Sequence, residues 1–235
     1  MKKMIIASTS TIYGSDYLAY ILPDIKNLYK EITEVVFVPY ARPSGISYDD
    51  YTALAEKTFR KINVKVKGLH TFDNPQKALE AAKGIFVGGG NTFLLVTTLY
   101  KLNLMNILKW VIEKGTPYLG TSAGSNICGV SMQTTNDMPI IYPSSFKTLG
   151  VIPFNINPHY LDPDLKSKHK GETRETRIKE YHALNDIPVL GLREGSWLDV
   201  KGDSIILKGS LTARLFKPNK KPVELDVLTN IIDEI

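Results

Sequence analysis

Cysteine is almost absent: the 235-residue chain has one, Cys128. That excludes an internal disulfide framework and a cysteine-based zinc site, and it fits a reducing compartment. No apolar run reaches the length of about 18 residues that a membrane-spanning helix needs. No H-E-x-x-H motif occurs, and the four histidines lack close helical pairing, so neither a metal nor another cofactor is expected. Charge of one sign is scarce too: 29 Lys and Arg against 24 Asp and Glu give a net +5. The excess is dispersed, and its one cluster, Lys166 to Lys170, is soon followed by Glu172 and Glu175. No basic stripe interleaved with aromatics is present, so no nucleic-acid partner is expected, and no membrane partner either. Low-complexity linkers are missing as well, and residues 1–235 read as a single domain.

What is present is alternation. The basic then apolar start, Met1 to Ala7, has too short an apolar run for a leader and reads as a first buried strand, which places the protein in the cytoplasm. Further strands are expected at 34–39, 64–69, 85–87, 117–120 and 187–192. Helices are expected at 17–29 (interrupted by Pro23), 48–62, 75–82, from Thr92, 104–114, after Ser122 and at 173–184. Residues 131–160 look irregular, and the last forty or so alternate strand-like runs with turns. The fold class that follows is α/β. It is a three-layer sandwich with a mostly parallel central sheet flanked by helices, and a C-terminal antiparallel β extension continues the sheet.

Gly120-Thr121-Ser122-Ala123-Gly124 satisfies G-x-S-x-G between an apolar strand and a helical segment. A serine on so sharp a turn is lifted above the sheet, and the helix that follows offers free N–H groups. Ser122 is therefore a candidate nucleophile, and the Ala123 N–H a candidate oxyanion donor; the bland alternative is an ordinary Gly-Ser turn. Gly88-Gly89-Gly90-Asn91-Thr92 also joins a strand to a helix. It lacks the glycine spacing of a dinucleotide loop and the Lys-Ser/Thr of a phosphate loop. Beside an elbow, the N–H groups of Gly89 and Gly90 suit an oxyanion better than a phosphate.

A serine nucleophile needs an imidazole base and an acid to hold it. Of His70, His159, His169 and His182, His159 stands in an irregular segment after an apolar run, where a side chain can enter a cleft. Two carboxylates compete for the third role: Glu194, at the end of a buried strand, and Asp137, in Asn136-Asp137-Met138-Pro139. Either can equally be a turn residue or a helix cap.

Six segments together resemble peptidase E, the α-aspartyl dipeptidase family: GGGNTF (88–93), GTSAGSN (120–126), TTNDMPI (134–140), INPHY (156–160), HKGETRE (169–175) and LREGSW (192–197). They run in the family's order over nearly the whole chain. The resemblance implies Ser122 as nucleophile, His159 as base, and a small peptide with N-terminal L-aspartate as substrate. It points to Glu194 as the third member while leaving Asp137 in contention, one orienting His159 and the other meeting the substrate's amine. It also implies Arg174 as partner of the aspartate side chain and Asn91 as a substrate contact, in a monomer or dimer.

The chain departs from the family pattern at Thr121, where a bulky aromatic is common, and at Arg193, where a proline is often found. The stretch between His159 and HKGETRE is slightly long. Two other functions stay open: a cyanophycinase-like β-aspartyl hydrolase, and a catalytically silent binder of acidic amino acids.

Overall fold

A computed structural model describes residues 1–164 and 171–235. His169 and the Lys166–Lys170 block lie outside the described residues. The first half alternates strand and helix: β1 (Lys3–Ala7), α1 (Leu22–Leu28), β2 (Glu34–Val38), α2 (Tyr48–Phe59), β3 (Lys65–Gly68), α3 (Pro75–Ala81) and β4 (Ile85–Val87). Then follow α4 (Thr92–Lys101), α5 (Met105–Lys114), β5 (Tyr118–Thr121), α6 (Ala123–Asn126), β6 (Asn155–Pro158) and α7 (Arg174–His182). The chain finishes with β7 (Val189–Leu192), β8 (Ser196–Lys201), β9 (Ser204–Gly209), β10 (Ala213–Phe216) and β11 (Val223–Leu225). No helix among the described residues is long and apolar enough to cross a membrane.

A seven-stranded sheet runs β3-β2-β4-β5-β1-β8-β9, and its first five strands are parallel. β8 and β9 extend it in the antiparallel sense. The side-chain alternation of each strand feeds two separate cores. Ile5, Phe37, Phe86 and Leu119 face α1 and α2, packing on Ile25, Tyr51 and Phe59. Met4, Ile6, Val38 and Val87 face the other way, toward Leu95 and Leu99 of α4 and Leu108 and Ile112 of α5. This is the expected three-layer arrangement, and it exists because nearly every residue of these strands is apolar on both faces.

The β tail divides between two sheets. β8 and β9 continue the central sheet as expected, whereas β10 and β11 join β7 and β6 in a second sheet of order β11-β10-β7-β6. β6 itself falls inside the stretch expected to be irregular. Its sequence, Asn155-Ile156-Asn157-Pro158, has little strand propensity, and its extended form comes from parallel pairing with β7. Likewise the helix expected from Tyr17 begins at Leu22, with Pro23 in its first turn and a 3-10 turn at Ala19–Ile21 before it.

The aromatic group on the α1–α2 face fixes β4 against α2: Phe86 stacks on Phe59 at 5.6 Å and meets Phe37 at 4.8 Å. Phe86→Ala should cost about 3–5 kcal/mol. Urea unfolding followed by circular dichroism measures it, and a loss under about 1 kcal/mol would show that the cavity collapses freely.

Candidate active site

The parallel strands β1, β2, β4 and β5 all end on one edge of the sheet, where α/β folds collect ligand-binding groups. Ser122 sits there, between β5 and α6, at φ +53° and ψ −110°. Such a backbone costs on the order of 1–3 kcal/mol and persists only where its surroundings impose it. They do so here. The Ser122 N–H donates to the Ala7 carbonyl at 3.1 Å, and the Ser125 hydroxyl donates to the same oxygen at 2.6 Å. A Cβ on Gly120 would come within 2.5 Å of the Gly124 carbonyl oxygen, and one on Gly124 would run into that of Val87. Only glycine at both positions lets the chain fold back so tightly.

The turn presents the Ser122 hydroxyl to His159, whose Nε2 lies 2.8 Å from Oγ. On the other side of the ring, Nδ1 is 2.6 Å from Glu194 Oε1. An ionised carboxylate only accepts, so Nδ1 carries the ring proton and Nε2 is left to accept from the serine. His159 follows β6 and Glu194 follows β7, and these two strands pair side by side. Their register therefore sets the imidazole–carboxylate contact.

Asp137 is elsewhere. Its Oδ2 accepts the Thr92 N–H at 2.7 Å and the Thr135 hydroxyl at 3.0 Å, so it caps the N-terminus of α4 rather than meeting the imidazole. The helix dipole favours a carboxylate at that end, and Glu194 is the one of the two that lies against the imidazole. Asn91, expected to touch substrate, is also occupied. Its Oδ1 accepts from the Leu94 N–H at 3.0 Å and its Nδ2 donates to the Met138 carbonyl at 2.8 Å. It is a helix cap that ties the 136–140 segment to the glycine loop.

Gly89 packs on the Ser122 side chain so closely that a Cβ there would lie 2.9 Å from the serine Cβ. The neighbouring amides are spent, Gly88 N–H on Val38 O and Asn91 N–H on Ala41 O. Those of Gly89, Gly90 and Ala123 have no acceptor among the described residues. Gly89 is the one of the three that is in contact with the Ser122 side chain, with Gly90 next to it in the chain and Ala123 next to Ser122.

Arg174 begins α7 and lines an open cleft with Leu161, Asp162 and Arg177. Partial burial, and then the charge of Arg177, lower its pKa, while Asp137 pulls the other way. Among the described residues it forms no ion pair. The other described histidines are engaged away from Ser122: His70 with Asp49 at 2.8 Å and His182 with the Ile187 carbonyl at 3.0 Å. Cys128 is a core residue; burial raises its thiol to about 12.

Ser8 was not foreseen. Fully buried at the end of β1, its hydroxyl donates to the Leu192 carbonyl at 2.7 Å and accepts the His159 N–H at 2.9 Å. It therefore joins three strand ends, and it holds His159 at its unusual φ of +53°. Nothing in Ser8-Thr9-Ser10-Thr11 distinguishes this serine from its neighbours. Asparagines were the readable signal in the irregular stretch. Asn136 Nδ2 donates to Pro158 O at 2.6 Å, Asn157 Nδ2 to Thr134 O at 2.8 Å, and Asn126 Nδ2 to Ile156 O at 2.8 Å. Buried carbonyls need such partners where no ladder supplies them.

The atypical Arg193 has a physical account. It bonds Asp162 at 2.7 Å and Glu224 at 2.9 Å, tying the segment after His159 to β11 beside Glu194. Its hydrogen bond is the main cause holding the Asp162 carboxyl below the usual range.

Hydroxyl, imidazole and carboxylate in series above a parallel α/β sheet define the class of serine hydrolases, which is recognised by geometry rather than by order in the chain. Comparison with known proteins narrows the class. The model of Peptidase family S51 matches residues 4–208, and the chain belongs to that family. It is 45% identical over 233 residues to a Peptidase E of Streptomyces coelicolor, covering 98% of this chain and 95% of that one. It is 43% identical, over 98% of this chain and 96% of the other, to a Drosophila melanogaster protein named "Probable alpha-aspartyl dipeptidase". The fold matches the crystal structure of a peptidase from an acI-B1 Actinobacterium with a TM-score of 0.72, at 15% identity, over 98% of this chain and 97% of that one.

Ser8→Ala leaves a buried carbonyl and the His159 N–H without their partner, and should lower stability by about 1–3 kcal/mol in urea unfolding. No loss would mean that water replaces the hydroxyl. Cys128 should resist a thiol reagent such as dithionitrobenzoate at pH 8 in the folded protein and react on unfolding. Rapid native labelling would contradict its burial.

Proposed function

We propose that this chain is a serine dipeptidase that hydrolyses Asp-Xaa dipeptides through an acyl-enzyme on Ser122. The observation that carries the reading is His159 held between the Ser122 hydroxyl and the Glu194 carboxylate. His159 Nε2 takes the serine proton as Oγ attacks the carbonyl carbon of the aspartyl residue. Glu194 keeps the ring oriented and stabilises the imidazolium that forms. The developing oxyanion is met by N–H groups of Ala123 and of Gly89 or Gly90 that have no acceptor among the described residues; each such donor typically lowers the barrier by about 3 kcal/mol. His159 then protonates the leaving amine, and water, deprotonated by the same ring, releases aspartate from the ester.

Selection for aspartate falls to Arg174, whose guanidinium forms no ion pair among the described residues and suits a carboxylate bidentately. The names of the relatives support the same substrate class. Asp137 Oδ1 makes no hydrogen bond among the described residues and is the acceptor we assign to the substrate's ammonium group. The solitary, buried Cys128 supports a reducing, cytoplasmic setting.

Ser122→Ala should reduce hydrolysis of aspartyl-p-nitroanilide by at least about 10³-fold without altering the circular dichroism spectrum. Retained turnover would remove the nucleophile from the scheme. For Arg174→Ala the readout is the ratio of kcat/KM for Asp-Leu to that for Leu-Leu, which should collapse. An unchanged ratio would show that the selector lies elsewhere. Cleavage of β-Asp-Leu in preference to α-Asp-Leu would favour the cyanophycinase-like alternative.

A further inference from the structure

One polar cluster on the Ser122 edge has no part in this scheme. Arg42 follows β2 on that edge and forms no ion pair among the described residues. Its guanidinium carbon stands 4.8 Å from the centre of the Tyr51 ring, and its Nε is buried without a hydrogen-bond partner. The Tyr17 hydroxyl, on the segment leaving β1, is buried beside the Tyr51 hydroxyl and has no other partner among the described residues. The Tyr17 ring meets that of Tyr51 edge-on at 6.4 Å. Burial, and then the adjacent Tyr51 hydroxyl, push the Tyr17 hydroxyl up, and the nearby Arg42 charge pulls against that rise. Tyr51 in turn donates to the Gly89 carbonyl at 3.2 Å, and Gly89 abuts the Ser122 side chain.

A buried N–H with nothing to bond is costly, and native sites keep one for a reason. Stacking on Tyr51 accounts for the plane of the guanidinium, but not for its idle Nε. Fixed in that plane, the fork suits a carboxylate.

The location says which carboxylate. Tyr51 belongs to the α1–α2 face of the sheet, whereas α4, capped by Asp137, belongs to the opposite face, and Arg174 is coupled to Asp137. A dipeptide laid across Ser122 with its aspartate toward Arg174 sends its second residue toward Tyr51 and Arg42. Its α-carboxylate then lies about one Cα step, roughly 3.8 Å, beyond the scissile bond.

We infer that Arg42 and Tyr17 form a subsite for the free α-carboxylate of the leaving residue, which makes the enzyme measure substrate length at that end. The inference rests on the dipeptidase reading above.

The test compares kcat/KM for Asp-Leu and its C-terminal amide in the wild type, Arg42→Gln, Arg42→Lys and Tyr17→Phe. The wild type should prefer the free acid by about tenfold or more, as for a lost charge-assisted hydrogen bond. Arg42→Gln should bring the ratio near one, with Arg42→Lys intermediate and Tyr17→Phe lowering it severalfold. A wild-type ratio near one overturns the subsite. So does an Arg42→Gln protein that loses both substrates equally and keeps the ratio. If Arg42→Gln does not fold, the Arg42→Lys and Tyr17→Phe ratios decide. Hydrolysis of the amide needs Ser122 and the aspartyl group but not the carboxylate. A wild type that cuts both equally therefore sinks only the subsite, while one that cuts neither sinks the dipeptidase reading.

Discussion

The bend at Ser122 is the constraint on which the rest of the site depends. A backbone at φ +53° is unfavourable for serine, and it is kept because three elements close around it. β1 accepts the Ser122 N–H through Ala7, β4 leaves no room for a side chain at Gly124, and Tyr118 donates to the Gly124 carbonyl at 2.6 Å. The same closeness of β4 to the bend brings the glycine loop against the hydroxyl. The strained backbone, the projecting hydroxyl and the glycine loop beside it are thus consequences of one packing arrangement.

The imidazole depends on a longer chain of contacts. β6 has poor strand propensity and is held in place by pairing with β7 and by side chains that reach into it: Asn126, Thr134 and Asn136 all donate to carbonyls of Ile156 or Pro158. Ser8 then links the ends of β1, β6 and β7 in one pair of hydrogen bonds. The second sheet exists to present His159 and Glu194 side by side, while the central sheet presents Ser122. Charge is arranged to match: Arg193 is consumed by Asp162 and Glu224, whereas Arg174 and Arg42 form no ion pair among the described residues.

Local chemistry made much of this legible. The alternation of apolar runs and helical periods gave the layers, and G-x-S-x-G between strand and helix gave the bend, because its glycines are required by contacts within a few residues. The tail was less readable. Strand-like runs at 196–209 and 213–225 have the same pattern, yet the first pair joins one sheet and the second pair the other. Which edge a strand joins depends on what already occupies it, and that is not written in the strand.

By itself, then, the sequence determined the α/β layering, the bend at Ser122 and the glycine loop, and through six ordered segments the family. Only the tertiary structure decided that Glu194 rather than Asp137 meets His159, that Asn91 caps a helix, and that Ser8 ties three strand ends together. The physical reason is separation along the chain. The histidine lies 37 residues from its serine and 35 from its carboxylate, so their meeting is set by the register of β6 on β7 and by the packing of the second sheet. No local preference of the residues themselves fixes either.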